Sequence, residues 1–423
     1  MDHSLGTPEK GHPSSLLPPL RGLPSVARRP GHSSEAGPDP RGRAAMRKRF
    51  SILILLFLLP GGLLLPARGE AQTPSALWAH LSPHPDYPVE WWYMTGYLST
   101  PSHRHFGFQA TFFRMTTKIG REPSAPKSTS SWTPREIFGF HGAVSDLDRK
   151  SFLSTERERR GFSRSVLAQE SPFSVRIGRN RLDRLVPEAK SLALHFRVAN
   201  RSYDLSLSPQ SPPIWHAARK KFFTGPGAAD WAYYYSYPLV TITGTVTTVR
   251  PDGKTHTEAV SGQCWFDHEW MKSTLAKDQI GWIWVWGWNK KNTQGVMVYQ
   301  MLNRGATLSP FHRATILQRE GDSWTVARSD KVAFTGQLTN RCLDLKRIAF
   351  RVGSDLEIKV RPRIDRQALT GAVTYWEGAS GIIFKKKGLV EKGKGYLEVT
   401  GLQSWKKNQL CRNQETHLKK EFP

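Results

Sequence analysis

The sequence predicts an all-β protein of antiparallel barrels or sandwiches. Short runs of aromatic and β-branched residues follow one another, separated by Gly, Pro, Asp and Asn turns. Within the runs apolar residues recur with the period of two that belongs to strands, and helical periodicity is almost absent. The 15 tryptophans lie mostly inside these runs, so a substantial core is available. A length of 423 residues admits two domains.

Residues 1–45 are rich in Pro, Gly, Ser and Arg and read as disordered, or as an extension upstream of the true start at Met46. From Met46 the chain has the layout of a secretory leader, 46–71. Arg47-Lys48-Arg49 is the charged region, Phe50 to Leu59 the apolar one, and Gly69-Glu70-Ala71 the cleavage site. Pro60-Gly61-Gly62 interrupts the apolar run, against a membrane span. The expected product is exported, periplasmic or secreted.

A first domain is expected over 76–272. Asp86 to Leu98 and Phe106 to Arg114 read as a hairpin, with Leu98 opposite Phe106, Trp92 opposite Phe112 and Glu90 opposite Arg114. Glu90 and Arg114 then form an ion pair, more often structural than ligand-binding. Residues 120–135 read as a loop and Phe138 to Asp146 as a strand; His141 within it reads as a satisfied core histidine. The Arg- and Glu-rich stretch 148–185 predicts short strands and turns. Leu192 to Val198 and Tyr203 to Leu207 suggest a hairpin across Asn200-Arg201. Leu239 to Arg250 and Thr255 to Trp270 flank the turn Pro251-Asp252-Gly253.

After a linker at 271–280, a second domain, 280–405, repeats the pattern. Its strands are expected at Gly281 to Trp288, Gly295 to Leu302, Ala314 to Arg319, Trp324 to Ala327, Ile348 to Val352, Leu356 to Val360, Tyr375 to Ala379 and Gly395 to Gly401. Residues 406–423 are a basic tail.

The formal net charge is +26, and residues 72–423 alone carry 51 Lys and Arg against 30 Asp and Glu, a net of +21. No nucleic-acid module accompanies this charge, so nucleic acid is not the expected partner. The remaining readings are a solvated basic surface or peripheral contact with an anionic membrane. Three cysteines, Cys264, Cys342 and Cys411, make neither a disulfide framework nor a zinc signature, although a Cys342–Cys411 bridge is open.

Candidate chemistry concentrates in Gly262 to Lys272, where Asp267, His268 and Glu269 stand consecutively among aromatics. On a strand, Cys264, Phe266, His268 and Trp270 share one face, and Trp265, Asp267 and Glu269 the other. Trp282, Trp284, Trp286 and Trp288 likewise share a face, an apolar wall. A metal set from Asp267, His268 and Glu269 is not expected, because neighbours on a strand point apart.

Four motifs together resemble one family. They are Glu90-Trp91-Trp92-Tyr93 with Gly96; Phe106 to Arg114; Asp267-His268-Glu269-Trp270 with Gly281-Trp282; and Tyr375-Trp376-Glu377-Gly378 with Gly395-Tyr396. In order and spacing they resemble the AttH-like proteins, relatives of carotenoid 1,2-hydratases often labelled predicted secreted hydrolases. The resemblance covers nearly all of the chain beyond the leader and implies two tandem lipocalin-like antiparallel β-barrels. It implies chemistry on an isoprenoid- or lipid-like double bond, or an interface pocket such as that of related pericyclases. His268 and Trp270 match the hydratases' His-x-Trp pair. Their Tyr-x-Asp pair is not matched, since Val298 and Gln300 stand there. Ile283 stands where many AttH-like proteins carry a second Asp.

The expected catalytic set is His268, Trp270, Asp267 and Glu269, with an apolar ligand held by Trp92, Phe112, Trp282, Trp284, Trp286 and Tyr299. No cofactor is implied. Hydration needs a proton donor, a cation stabiliser and a placed water, which tuned carboxylates and indole faces supply. There is no Gly-x-Ser-x-Gly elbow and no phosphate loop. The rival accounts are a non-catalytic carrier and a structural envelope protein, with Asp267 and Glu269 paired to arginines.

Overall fold

The computed structural model describes residues 78, 80–116, 136–161, 165–184, 190–305, 307–339, 342–371 and 373–402. The segments expected to be an extension (1–45), a leader (46–71) and a basic tail (406–423) lie outside these, as do Cys411 and the side chain of Cys342, and with them the Cys342–Cys411 bridge left open by the sequence. Cys264 is a buried free thiol.

Thirteen strands form the first sheet: β1 (Val89–Ser99), β2 (His105–Thr116), β3 (Glu136–Asp146), β4 (Ser151–Arg160), β5 (Val166–Gln169), β6 (Ser174–Ile177), β7 (Asn180–Asp183), β8 (Leu192–Val198), β9 (Arg201–Pro209), β10 (Ile214–Trp215), β11 (Lys221–Phe223), β12 (Trp231–Val249) and β13 (Thr255–Met271). Their order is β4-β3-β2-β1-β13-β12-β9-β8-β7-β6-β5, with β10 and β11 added to β12. The sheet curls until β3 and β4 meet β6 and β8, so the barrel is nearly closed. Every neighbouring pair is antiparallel, as short turns between strands require.

The second sheet holds β14 (Gln279–Asn289), β15 (Gln294–Asn303), β16 (Thr307–Glu320), β17 (Ser323–Ser329), β18 (Val332–Phe334), β21 (Ile348–Val352), β22 (Leu356–Pro362), β23 (Ala368–Thr370), β24 (Thr374–Lys386) and β25 (Leu389–Thr400). Its order is β17-β16-β15-β14-β25-β24-β22-β21-β18. The short β19 (Leu338–Thr339) and β20 (Cys342–Leu343) pair apart from it. Among the described residues the helical element is one 3₁₀ turn, Leu345–Arg347. The fold is therefore all-β, two tandem antiparallel barrels.

Alternation along each strand sorts side chains into separate cores. Phe108, Phe112, Phe140, Phe196 and Leu207 fill the first barrel. Ile283, Val285, Val298, Phe350, Ile358 and Leu397 fill the second. A third cluster joins the barrels, taking Tyr93 from β1, Tyr234 from β12, Trp265 from β13, Trp284, Trp286 and Trp288 from β14, and Tyr396 from β25. Contact there is close. A Cβ at Gly107 of β2 would lie 2.6 Å from the Cβ of Ala379 on β24. Tyr97 reaches across to donate to the carbonyls of Ser380 (2.7 Å) and Gly395 (3.0 Å).

Candidate functional site

β13 lies between β1 and β12, so both of its faces are covered. Alternation sends Cys264, Phe266, His268 and Trp270 into the first barrel, and Trp265, Asp267 and Glu269 toward the second. The expected catalytic set Asp267, His268, Glu269 and Trp270 therefore does not converge; it separates into two sites.

On the inner face, the β1–β2 register sets Glu90 opposite Arg114, Trp92 opposite Phe112 and Leu98 opposite Phe106. Glu90 is fully buried. Its carboxylate accepts from Arg114 Nε (3.1 Å), the His84 amide (3.0 Å) and His84 Nδ1 (2.7 Å), and meets His268 Nε2 at 3.0 Å. Burial raises the Glu90 pKa, but the hydrogen bonds from His268 and His84 outweigh it and hold it at about 2. His268 Nδ1 lies 2.8 Å from the His80 carbonyl and 3.1 Å from Tyr235 Oη, which donates to the same carbonyl. Trp92 stacks on His268 (4.8 Å), and His84 stacks on Trp270 (3.7 Å, 5°). Ligand atoms, one each from His84, Glu90 and His268, lie within 4.8 Å of one another, a spacing that a metal ion can bridge. Arg114 already neutralises Glu90 there, and a dication added to that buried guanidinium would meet strong repulsion. The cluster ties the 80–90 segment to the barrel; it is an ion-pair network.

The other face is acidic. Asp267 is buried, and its carboxyl accepts from Tyr234 Oη (2.9 Å), Trp265 Nε1 (2.6 Å) and Ser236 Oγ. Burial outweighs these donors and pushes its pKa up to about 7. Glu269 is pushed well above the usual range, first by burial and then by the charges of Asp267 and Glu398. Glu398 of β25 is pushed up to about 8 by burial, against a hydrogen bond from Trp282. Glu377 of β24, opposite Glu398 in register, is raised by burial and by Glu398. Tyr93 donates to its Oε1, while Oε2 has no hydrogen-bond partner among the described residues, as suits a neutral acid. Asp267 and Glu269 form no ion pair with an arginine among the described residues, which corrects the pairing expected of a purely structural role. Hydroxyls and an indole hold Asp267 instead.

The acid group has a rim. Trp91 of β1 and Trp282 of β14 are partly exposed and stack at 6.4 Å. Trp91 is the register partner of Glu269, which keeps 9% exposure, and Glu398 is partly buried. Deeper in, Trp284 Nε1 donates to Tyr234 Oη (2.9 Å) and Trp286 Nε1 to Thr95 Oγ1 (2.8 Å). The four β14 indoles share a face as expected, but they wedge between the barrels rather than line an open wall. His216 Nε2 lies 2.6 Å from Ser236 Oγ, which donates to Asp267, and His216 Nδ1 lies 2.8 Å from Thr315 Oγ1. Burial lowers the His216 pKa, so the ring is neutral. Imidazole, serine and carboxylate come in that order. In a hydrolytic triad the imidazole stands between the other two, so this arrangement does not arm the serine.

The expected ligand-binding residues divide the same way. Trp92 and Phe112 sit inside the first barrel, with Phe112 against Phe140. Trp282, Trp284, Trp286 and Tyr299 belong to the junction, where Tyr299 donates to the Phe223 carbonyl (2.8 Å). His141 is buried at the same junction, its Nδ1 2.9 Å from Tyr375 Oη and its pKa lowered by burial to about 4. Gln300 donates to the Ser309 carbonyl (2.6 Å). Sequence reasoning missed Tyr93, Tyr234, Ser236, Glu377 and Glu398. The available signal was an acid at an inward position of an apolar run, in Tyr375 to Ala379 and in Tyr396 to Val399.

The fold has known counterparts. The crystal structure of an AttH protein from Nitrosomonas europaea superposes with a TM-score of 0.61 at 24% identity, covering 76% of this chain and 94% of that one. Kievitone hydratase from Nectria haematococca superposes at 0.58 and 14% identity, covering 81% and 98%. These likenesses show a shared fold. No curated protein matches the sequence. The family model described as AttH-like matches residues 69–402, the two barrels entire, and the chain belongs to that family.

Proposed function

We propose that the protein binds an apolar, isoprenoid- or lipid-like molecule at the rim between its barrels and adds water across a double bond there. One observation carries this reading: Asp267, Glu269 and Glu398, all with raised pKa values, adjoin a pair of partly exposed indoles. Glu269 is the donor. Its raised pKa keeps the proton at neutral pH, and its carboxyl has no hydrogen bond among the described residues to hold it back. The proton passes to one alkene carbon, and the cation left on the other faces the indoles of Trp91 and Trp282. Water adds to that carbon and gives its proton to Asp267, which is partly ionised near pH 7. Ser236 and His216 offer that proton a path onward. Kinship with a fold that includes a hydratase supports the reaction class.

A second reading, a carrier or envelope scaffold without chemistry, is favoured by the deeper indoles, whose N–H groups are all engaged within the protein. Native mass spectrometry with lipid extraction separates the two. A bound apolar molecule that gains one water on incubation supports the hydratase. A molecule that stays unchanged supports the carrier, and its absence removes both. We further propose that the protein acts after export, on the strength of the leader pattern at 46–71. Fractionation of the native cell tests this, and recovery in the cytoplasm contradicts it.

A further inference from the structure

The hairpin of β24 and β25 ends in a tip that the acid site does not use. Lys386 pairs with Leu389, and the two residues between them, Lys387 (φ 48°) and Gly388 (φ 85°), both have positive φ. That is a type I′ turn, which continues the twist of its strands and holds the tip in shape. A side chain on Gly388 would meet nothing within 4 Å. Leu389 is 74% exposed and Val390 57%, the two most exposed large apolar side chains among the described residues. Two adjacent aliphatics on a preformed tip, exposed among the described residues, are unusual for a surface that meets only water.

Their surroundings are strongly cationic. Lys385, Lys386, Lys387 and Lys392 flank them on the same hairpin, all exposed. The neighbouring β14–β15 turn adds Lys290 and Lys291, and the Lys290 amide donates to the Lys392 carbonyl (3.1 Å), which locks the two tips side by side. Acids at this end include Glu391, which accepts from Asn289 Nδ2 at 3.1 Å, Glu320 at the groove, and Glu357 opposite Lys385 in register, and the six lysines outnumber these three two to one. Beside the tips lies an open groove of about 640 Å³, floored by Phe384 and edged by Arg319 and Lys387.

We propose that this end of the second barrel docks on an anionic phospholipid bilayer, with Leu389 and Val390 entering the headgroup boundary and the six lysines engaging lipid phosphates. Charge complementarity selects the occupant. An acidic polymer would satisfy the lysines but leave the aliphatic pair in water, whereas a bilayer satisfies both. Lysine stems are long enough to lie along the acyl boundary while their ammonium groups stay among headgroups. Docked in this way, the protein would meet apolar molecules where they are concentrated.

The test is co-sedimentation of the full chain with vesicles of phosphatidylcholine alone, or of phosphatidylcholine and phosphatidylglycerol at three to one. The double variants Leu389→Ser with Val390→Ser, and Lys386→Glu with Lys387→Glu, are run beside it. All four positions are exposed, and near-ultraviolet circular dichroism confirms the fold of each variant. The expected result is sedimentation with the anionic vesicles only, and roughly a tenfold loss of partitioning in each double variant. Equal sedimentation of all three proteins overturns the proposal, since another part of the chain then drives binding. Loss in the lysine variant alone also overturns it, because charge without insertion describes a polyanion site.

Discussion

Glu377 and Glu398 stand directly opposite one another across β24 and β25, at a register point where two negative charges cannot both be tolerated. Burial raises both pKa values, Glu398 to about 8. The folded state therefore keeps protons that the unfolded chain releases near 4.5. The stability this contributes is complete below about pH 4.5 and is lost as pH rises through 8. Thermal melts of the wild type should show a falling Tm from pH 5 to pH 9. Glu398→Gln should flatten that fall and raise Tm at pH 9. A variant that melts below wild type at pH 9 contradicts the assignment.

Glu90 behaves in the opposite sense. Its folded pKa of about 2 lies below the usual 4.5, so its contribution is present above pH 4.5 and disappears toward pH 2. Arg114→Met should leave that carboxylate buried without its main counter-charge and reduce stability by about 3–5 kcal/mol at pH 7. Urea titration measures the loss. The deficit should shrink on moving from pH 7 to pH 2, where Glu90 is half protonated even in the wild type. An equal deficit at both values would remove the ion-pair account.

The barrels meet at Gly107. Because a Cβ there would lie 2.6 Å from that of Ala379 and 2.9 Å from Tyr396 Oη, Gly107→Val forces them apart. The expected destabilisation is about 1–3 kcal/mol. Tryptophan emission should shift to the red as the junction indoles hydrate. An unshifted spectrum at unchanged Tm would contradict close packing at this point.

The acid rim also sets a pH profile. If Asp267 must be ionised to take the proton from water, turnover should rise with pH through about 7 and fall where Glu269 loses its proton. Asp267→Asn should remove the rising limb and lower turnover by about 10²–10⁴-fold, the usual worth of a positioned acid or base. A profile that keeps its rising limb in the variant assigns that limb to another group.

Much of the fold was legible because strands declare themselves twice, by composition and by alternation. The Glu90–Arg114 hairpin register followed from placing aromatics opposite aromatics, and the two faces of Cys264 to Trp270 followed from period two. The site was less legible. Four neighbouring residues, Asp267 to Trp270, look like one cluster in the sequence, yet a strand sends them to opposite sides of a sheet. Conversely, Asp267 and Glu377 come within one electrostatic neighbourhood through the packing of two barrels, a relation that no local pattern encodes. Isolated acids such as Glu398 show in the sequence only as single acids within apolar runs, and Asp267, whose charge acts on Glu398, comes from the opposing barrel.

The most direct measurement follows one water into the apolar molecule that co-purifies with the protein, comparing wild type, Glu269→Gln and His268→Asn, each shown folded by its melting curve. The acid rim as the seat of chemistry predicts that Glu269→Gln abolishes the mass gain while His268→Asn retains it. Retention by Glu269→Gln with loss in His268→Asn would place the chemistry inside the first barrel and contradict the account.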